Sequence, residues 1–268
     1  MKTLALLAVW VVLAACAGCA APGHKAAPDP AVVSDLAPTG KIRAAINFGN
    51  PILATKSASG EPQGVSVDIA REMGRRLGVP VELVTFNSAG TVVDAVKARS
   101  VDLAFVAIDP VRAADTEYTP PYVIIEGAYL VRNGSPLTRN DEVDRPGTRI
   151  AVGRGSAYDL FLTREIRQAT LVRAPTSPQV TDVFLAENLE VAAGVKQQLE
   201  ADANRVGGVR LLPGRFMVIE QAIGVPKGRT AAQAWLAVQI EDMKSSGFVD
   251  EALRRHRIEG ALVAPARK

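Results

Sequence analysis

The stretch Leu103-Ala-Phe-Val-Ala-Ile-Asp-Pro-Val-Arg-Ala-Ala-Asp-Thr-Glu-Tyr-Thr-Pro-Pro-Tyr122 decides how the rest of the chain is read. Its first six residues are uniformly apolar, the pattern of a strand buried on both faces in a parallel sheet. Pro110 cannot donate to a ladder and ends the strand, which places Arg112 just past its C-terminal end. In open α/β sheets that rim is where ligands bind. A guanidinium there is a planar fork able to hold a carboxylate by two parallel hydrogen bonds. Read alone, the same arginine is a solvated surface residue; its neighbours decide between the two.

Working outward, short apolar runs alternate with amphipathic segments, which predicts an α/β protein whose strands cross over through helices. On the N-terminal side, Ile42–Ile46 reads as a strand, with a loop over Asn47–Pro51 at its end. Gly64–Gly78 reads as a helix with Ile69, Met73 and Leu77 on one face and Gly78 as its stop. Val81–Phe86 is the next strand, and a helix over about 91–99 leads into the central one. On the C-terminal side, Glu126–Arg132 reads as a first crossing into a second lobe that begins with a strand at Thr148–Val152. Gly153–Tyr158 opens that lobe's first helix, and Leu171–Val172, Leu189–Ala193 and Val209–Leu212 supply short strands. Phe216–Val225 brings the chain back. Helices over Ala231–Lys244 and Phe248–Arg255 then pack on the first lobe, the former with a core stripe of Leu236, Ile240 and Met243. Two α/β lobes joined by two extended strands form a hinge suited to closing on a ligand.

The order strand, Pro-x-Arg-Ala, then Tyr118-Thr-Pro-Pro-Tyr122 resembles the bacterial extracellular solute-binding proteins of family 3, which serve polar amino-acid ABC importers. Gly64-Val-Ser-Val-Asp-Ile-Ala70 and the turn Ser100-Val-Asp102 also match that family's pattern. The resemblance covers about residues 40–255, more closely in the first half. It implies the type II periplasmic binding protein fold, with lobe 1 formed by residues 40–127 and 219–268 and lobe 2 by 132–216. It further implies that Arg112 grips a ligand carboxylate, with Gly155 and Ser156 opposing it at a helix start whose N–H groups favour an anion. Ser156 is otherwise a plain N-cap.

The chain departs from the family where the family's ligand ammonium is held. An aromatic residue usual in the first-lobe loop is replaced by Asn50, with Phe48 nearby as a substitute or a buried anchor. Val195 stands where an aspartate is usual. Asp109, Glu126 or Glu220 takes over that role, or the solute has no α-ammonium. Asp109 and Glu126 are candidate contacts or simply neutralise an arginine, and Tyr122 is a contact or a core residue. The implied function is capture of a small carboxylate-bearing solute, an amino acid or related acid, by a monomer that delivers it to the membrane permease of an ABC importer. A dehydratase of cyclohexadienyl acids on the same fold and a sensory or accessory binding protein are the alternatives.

Lys2 followed by the apolar run Leu4–Leu13 has the form of a secretory signal, too short for a comfortable membrane span. Leu13-Ala-Ala-Cys16 matches a lipobox, which makes Cys16 the expected lipidation site and places the protein in the periplasm on a membrane anchor; the alternative is an ordinary signal cut nearby after small residues, with Cys16 incidental. Residues 1–19 are thus read as a signal peptide and residues 20–39, rich in Ala and Pro, as a disordered tether. Both cysteines lie in the leader and the only histidines are His24 and His256, so no thiol nucleophile, Ser/His/Asp triad or metal cluster is expected, and no cofactor. The net charge of +3 is spread thinly along 268 residues, which argues against a nucleic-acid partner.

Overall fold

A computed structural model describes residues 29–266. The expected leader and the Cys16 lipidation site lie outside the described residues. In chain order the elements are α1 (Pro30–Leu36), β1 (Ile42–Asn47), a small hairpin β2 (Thr55–Lys56) and β3 (Pro62–Gln63), α2 (Val65–Leu77), β4 (Val81–Phe86), α3 (Ala89–Lys97) and β5 (Leu103–Ala107). There follow β6 (Thr116–Tyr118), β7 (Val123–Arg132), β8 (Arg149–Gly153), α4 (Ala157–Glu165), β9 (Thr170–Ala174), α5 (Val180–Ala186), β10 (Val191–Val195), α6 (Lys196–Val206) and β11 (Val209–Leu211). The chain closes with β12 (Met217–Pro226), α7 (Thr230–Ser245), α8 (Phe248–Arg255) and β13 (Leu262–Val263).

The alternation of side chains along each strand builds two three-layer lobes. In the first, β4, β1 and β5 are parallel. Ile42, Ala44 and Ile46 of β1, with Leu103, Phe105 and Ala107 of β5, face a core shared with α1, α2, α7 and α8. Ala45, Ala104 and Val106 face the opposite layer, where they meet Val92, Ala95 and Val96 of α3. All five residues of β5 are buried, as an apolar strand covered on both faces must be. The second lobe repeats the plan with parallel strands β10, β8 and β9. Ile150 and Val152 face one core, and Ala151 faces the other together with Phe184 of α5.

Two ten-residue strands connect the lobes. The first half of β7 pairs antiparallel with β12 through Val123–Gly127 against Gln221–Met217, and its second half pairs with β10. β12 in turn pairs with β5 through Gln221–Gly224. The sheet therefore runs continuously from β4 to β9 through the two crossing strands. They match the expected hinge at Glu126–Arg132 and Phe216–Val225, with the first crossing beginning three residues earlier, at Val123.

One expectation is overturned by the described residues. The tether was placed over 20–39, yet Pro30–Leu36 is a helix. Asp29 caps it by accepting from the Ala31 N–H, and Pro30 stands in the first turn, where its missing donor costs nothing. Val32 and Leu36, one turn apart, are buried in the first-lobe core, and Asp35 accepts from the Ala232 N–H at the start of α7. Helices α5 and α6 were not foreseen as such. Among the described residues no helix is long and apolar enough to cross a membrane, and no cluster of His, Cys, Asp or Glu is placed to hold a metal ion.

Candidate functional site

The C-terminal ends of strands from both lobes converge on one small cavity. From the first lobe come Asn47 and Asn50 after β1, and Ala107 and Arg112 after β5. From the second come Ser156, Ala157 and Tyr158 after β8, and Val195 at the end of β10. Ile219 and Gln221 of the crossing strand β12 form part of the lining. The cavity measures about 30 Å³, room for about two water molecules.

Arg112 reaches this site because Pro110 stops β5 and a short 3₁₀ turn over Arg112–Ala114 folds the side chain back along the strand end. The residue is only 4% exposed. Its Nη1 donates to the Ala107 carbonyl and its Nη2 to the Gly155 carbonyl, each at 2.9 Å. Its Nε–H is buried without a partner. Burial pulls the guanidinium below the ordinary arginine value, opposed by the nearby Tyr118 and Asp109. A second unpartnered buried atom, Asn50 Oδ1, belongs to the same lining.

The opposing lobe is built tightly around Gly153. A β-carbon there would lie 2.6 Å from Ser177 Oγ and 2.8 Å from the Tyr158 hydroxyl, so only glycine fits. Tyr158 is buried, and burial pushes its hydroxyl pKa up despite the adjoining Ser177 and Ser156. Ser156 is the N-cap of α4, accepting from the Asp159 N–H at 3.0 Å. The cap and the cavity position coexist in one residue, since Ser156 also lines the cavity. The Gly155 N–H is committed to Asp159 Oδ2 at 2.8 Å, and Asp159 also pairs with Arg173. In this structure that N–H does not face the cavity as an anion donor.

Of the residues singled out in the sequence, Arg112, Ser156 and Asn50 are brought together on the lining, and Gly155 touches Arg112 from behind. Asp109, Phe48, Glu126 and Tyr122 are not on it. Asp109 accepts from the Val111 N–H and pairs with Arg164 of α4 across the lobes at 3.0 Å. Glu126 is engaged by Arg215 at 2.6 Å and by Lys196, which together hold its carboxyl below the ordinary range. Phe48 packs against the first-lobe core with the Lys56 ammonium 5.3 Å from its ring centre. Tyr122 is fully buried, edge-on to Phe105, with its hydroxyl 3.5 Å from Ser66. Sequence reading missed Tyr158, Ser177 and Gln221. Each sits inside a regular or turn segment with no local signal, and only the pairing of the lobes carries it to the site.

The two lobes touch at this level. Besides the Arg112–Gly155 and Asp109–Arg164 contacts, a β-carbon on Gly155 would approach Gly90 Cα of α3 to 3.0 Å. A model of the bacterial extracellular solute-binding proteins, family 3, matches residues 42–257. The chain belongs to that family. No curated protein matches it in sequence. Solved structures of the same fold include a solute receptor for L-cysteine from Neisseria gonorrhoeae, with 22% identity, a TM-score of 0.74, and 86% of this chain and 94% of that one covered. A binding component of an ABC transporter from Wolinella succinogenes, complexed with lysine, has 20% identity and a TM-score of 0.71, covering 81% of this chain and 95% of the other. The ancestral amino-acid-binding protein AncCDT-1, a precursor of cyclohexadienyl dehydratase, has 17% identity and a TM-score of 0.71, covering 83% and 98%. The cavity of this family member thus lies between its two lobes, at the carboxyl ends of their strands.

Proposed function

We propose that this family member is the solute-capturing component of an ABC importer. It works as a monomer in the periplasm, anchored through Cys16, and holds a small carboxylate-bearing solute, an amino acid or related acid, between its lobes. The observation that carries the reading is Arg112, a buried guanidinium on the cavity wall with an unpartnered Nε–H. Lysine and L-cysteine as the ligands of two structural neighbours support the class of solute. A buried cation gains most from an anion that it can meet with charge-assisted hydrogen bonds, while Ser156 and Asn50 supply the neutral polar groups that orient the rest of the molecule. Solute binding shifts the open–closed equilibrium, and the permease recognises the closed form.

Binding without turnover is favoured over dehydration of a cyclohexadienyl acid. The cavity lining carries no carboxylate, imidazole or amine to take up or return a proton. A spectroscopic assay with prephenate and arogenate separates the two, since turnover would overturn the binding role. Arg112→Ala tests the site itself. By calorimetry it should weaken binding of the preferred acid at least tenfold, about 1.5–3 kcal/mol for a lost charged hydrogen bond. Unchanged affinity in a well-folded variant would remove Arg112 from the site.

A further inference from the structure

The charges around the cavity do not balance. Arg112 lines it, and Arg164 of α4 stands behind it through its 3.0 Å pair with Asp109. Asp109 is 3% exposed, pairs with Arg164 and acts electrostatically on Arg112. Asp109 is paired with Arg164, which leaves the buried Arg112 guanidinium without a carboxylate partner of its own. Each guanidinium also keeps a buried N–H without a partner, Nε of Arg112 and Nη1 of Arg164. Of the other acidic groups nearby, Asp159 is committed to Arg173 and the Gly155 N–H, Glu126 to Arg215 and Lys196, and Glu220 of β12 is exposed and off the lining.

This imbalance bears directly on the solute's own charge. A monoanion neutralises Arg112 and supplies an acceptor for its orphaned Nε–H. A zwitterionic amino acid does so at one end only. Its ammonium would be buried beside the Arg112 guanidinium with no carboxylate on the lining to receive it, and an unpaired buried charge is costly. The position that closes the second-lobe side of the cavity, at the start of α6, is the isopropyl side chain of Val195. With Val106, Ala107 and Ile219 it makes an apolar stretch of a wall whose other polar groups, those of Asn47, Ser156, Tyr158, Ser177 and Gln221, are all neutral. The amide oxygen of Asn50, a lining residue, is buried without a partner and needs a donor, which a neutral 2-hydroxyl supplies without adding charge.

We propose that the site takes a compact monocarboxylate lacking an α-ammonium, a 2-oxo, 2-hydroxy or unsubstituted acid, in preference to the amino acid of the same carbon skeleton. This rests on the reading of the cavity as the solute site. The test uses the full-length chain, with thermal unfolding and calorimetry against matched sets: L-alanine with pyruvate, L-lactate and propionate, and L-leucine with its 2-oxo and 2-hydroxy analogues. A bound ligand in large excess over its dissociation constant raises the unfolding midpoint visibly. The expected result is binding of the ammonium-free members at least tenfold tighter than their amino acid. Val195→Asp, which places a carboxylate on the lining, should narrow or reverse that preference. Equal or tighter binding of the amino acids by the unaltered protein overturns the proposal and leaves the solute-capturing function standing. Failure of every member to bind overturns that function for small acids, and the proposal with it.

Discussion

Gly153 and Arg112 show how single residues set the site. Gly153 ends β8 where Tyr158 and Ser177 close over the backbone, and there is no room for even a methyl group. Both obstacles are part of the lobe's own packing rather than loose side-chain ends. Gly153→Ala should therefore destabilise the protein by about 1–3 kcal/mol, the usual range for overpacking, read from the midpoint of denaturant unfolding. A midpoint equal to that of the parent would mean that the Ser177 turn yields freely. The identity of Arg112 as a candidate was legible in the sequence, because an apolar run stopped by proline delivers the next long side chain to the strand end. The fate of Asp109 three residues earlier was not legible. Its partner, Arg164, lies on another lobe.

Among the elements, β1, β5 and α7 are tied at one buried carboxylate. Asp102, at the entry to β5, is fully buried and accepts from the backbone and guanidinium of Arg43 on β1 and from Arg229 ahead of α7. Burial by itself would raise its pKa, but these hydrogen bonds win and hold the carboxyl below the ordinary aspartate value. A group depressed in the folded state contributes stability that is fully present above its unfolded pKa of about 3.9 and is lost as pH falls through the lower folded value. Glu72 acts in the same sense on α2, where Arg75 and Arg76, against the cost of burial, lower it from 4.5 to about 2. Stability should thus fall on acidification below about pH 4. Asp102→Ala should cost about 3–5 kcal/mol at neutral pH, because it leaves two guanidiniums without their buried partner, and should flatten part of the acid limb. Denaturant titrations of both proteins at neutral pH and at pH values below 4 measure this, and parallel acid limbs would show that Asp102 does not contribute to the pH dependence. The helices themselves were readable from spacing and stops, α2 from its apolar face and Gly78 above all. Helix α1 was hidden by an Ala- and Pro-rich surround, and its two apolar residues gain their meaning from the core on which they dock.

At the scale of the molecule, the lobes meet through a small set of polar contacts over glycine backbones. The Asp109–Arg164 pair joins β5's end to α4, and Arg112 reaches the Gly155 carbonyl beside Gly90. Asp109 is buried and Arg164 about one-third exposed, so the pair is screened less than a surface bridge. Arg164→Ala should weaken the closed arrangement and shift the population toward the open one, seen as a larger radius of gyration by small-angle X-ray scattering. An unchanged radius would assign closure to the remaining contacts, Arg112 with the Gly155 carbonyl and Gly90 with Gly155.

The sequence by itself determined most of the strands and helices, the two crossings and the position of the arginine at a strand end. Those features follow from periodicity, proline stops and glycine caps, which act within a few residues. It also marked Val195 and Asn50 as departures from the family pattern. Only the tertiary structure decided which polar groups share the cavity and which acids are already neutralised, since Asp109, Glu126 and Asp159 each find their arginine or lysine on another element. A carboxylate's availability depends on what lies within a few ångströms of it in space, and chain order does not record that distance.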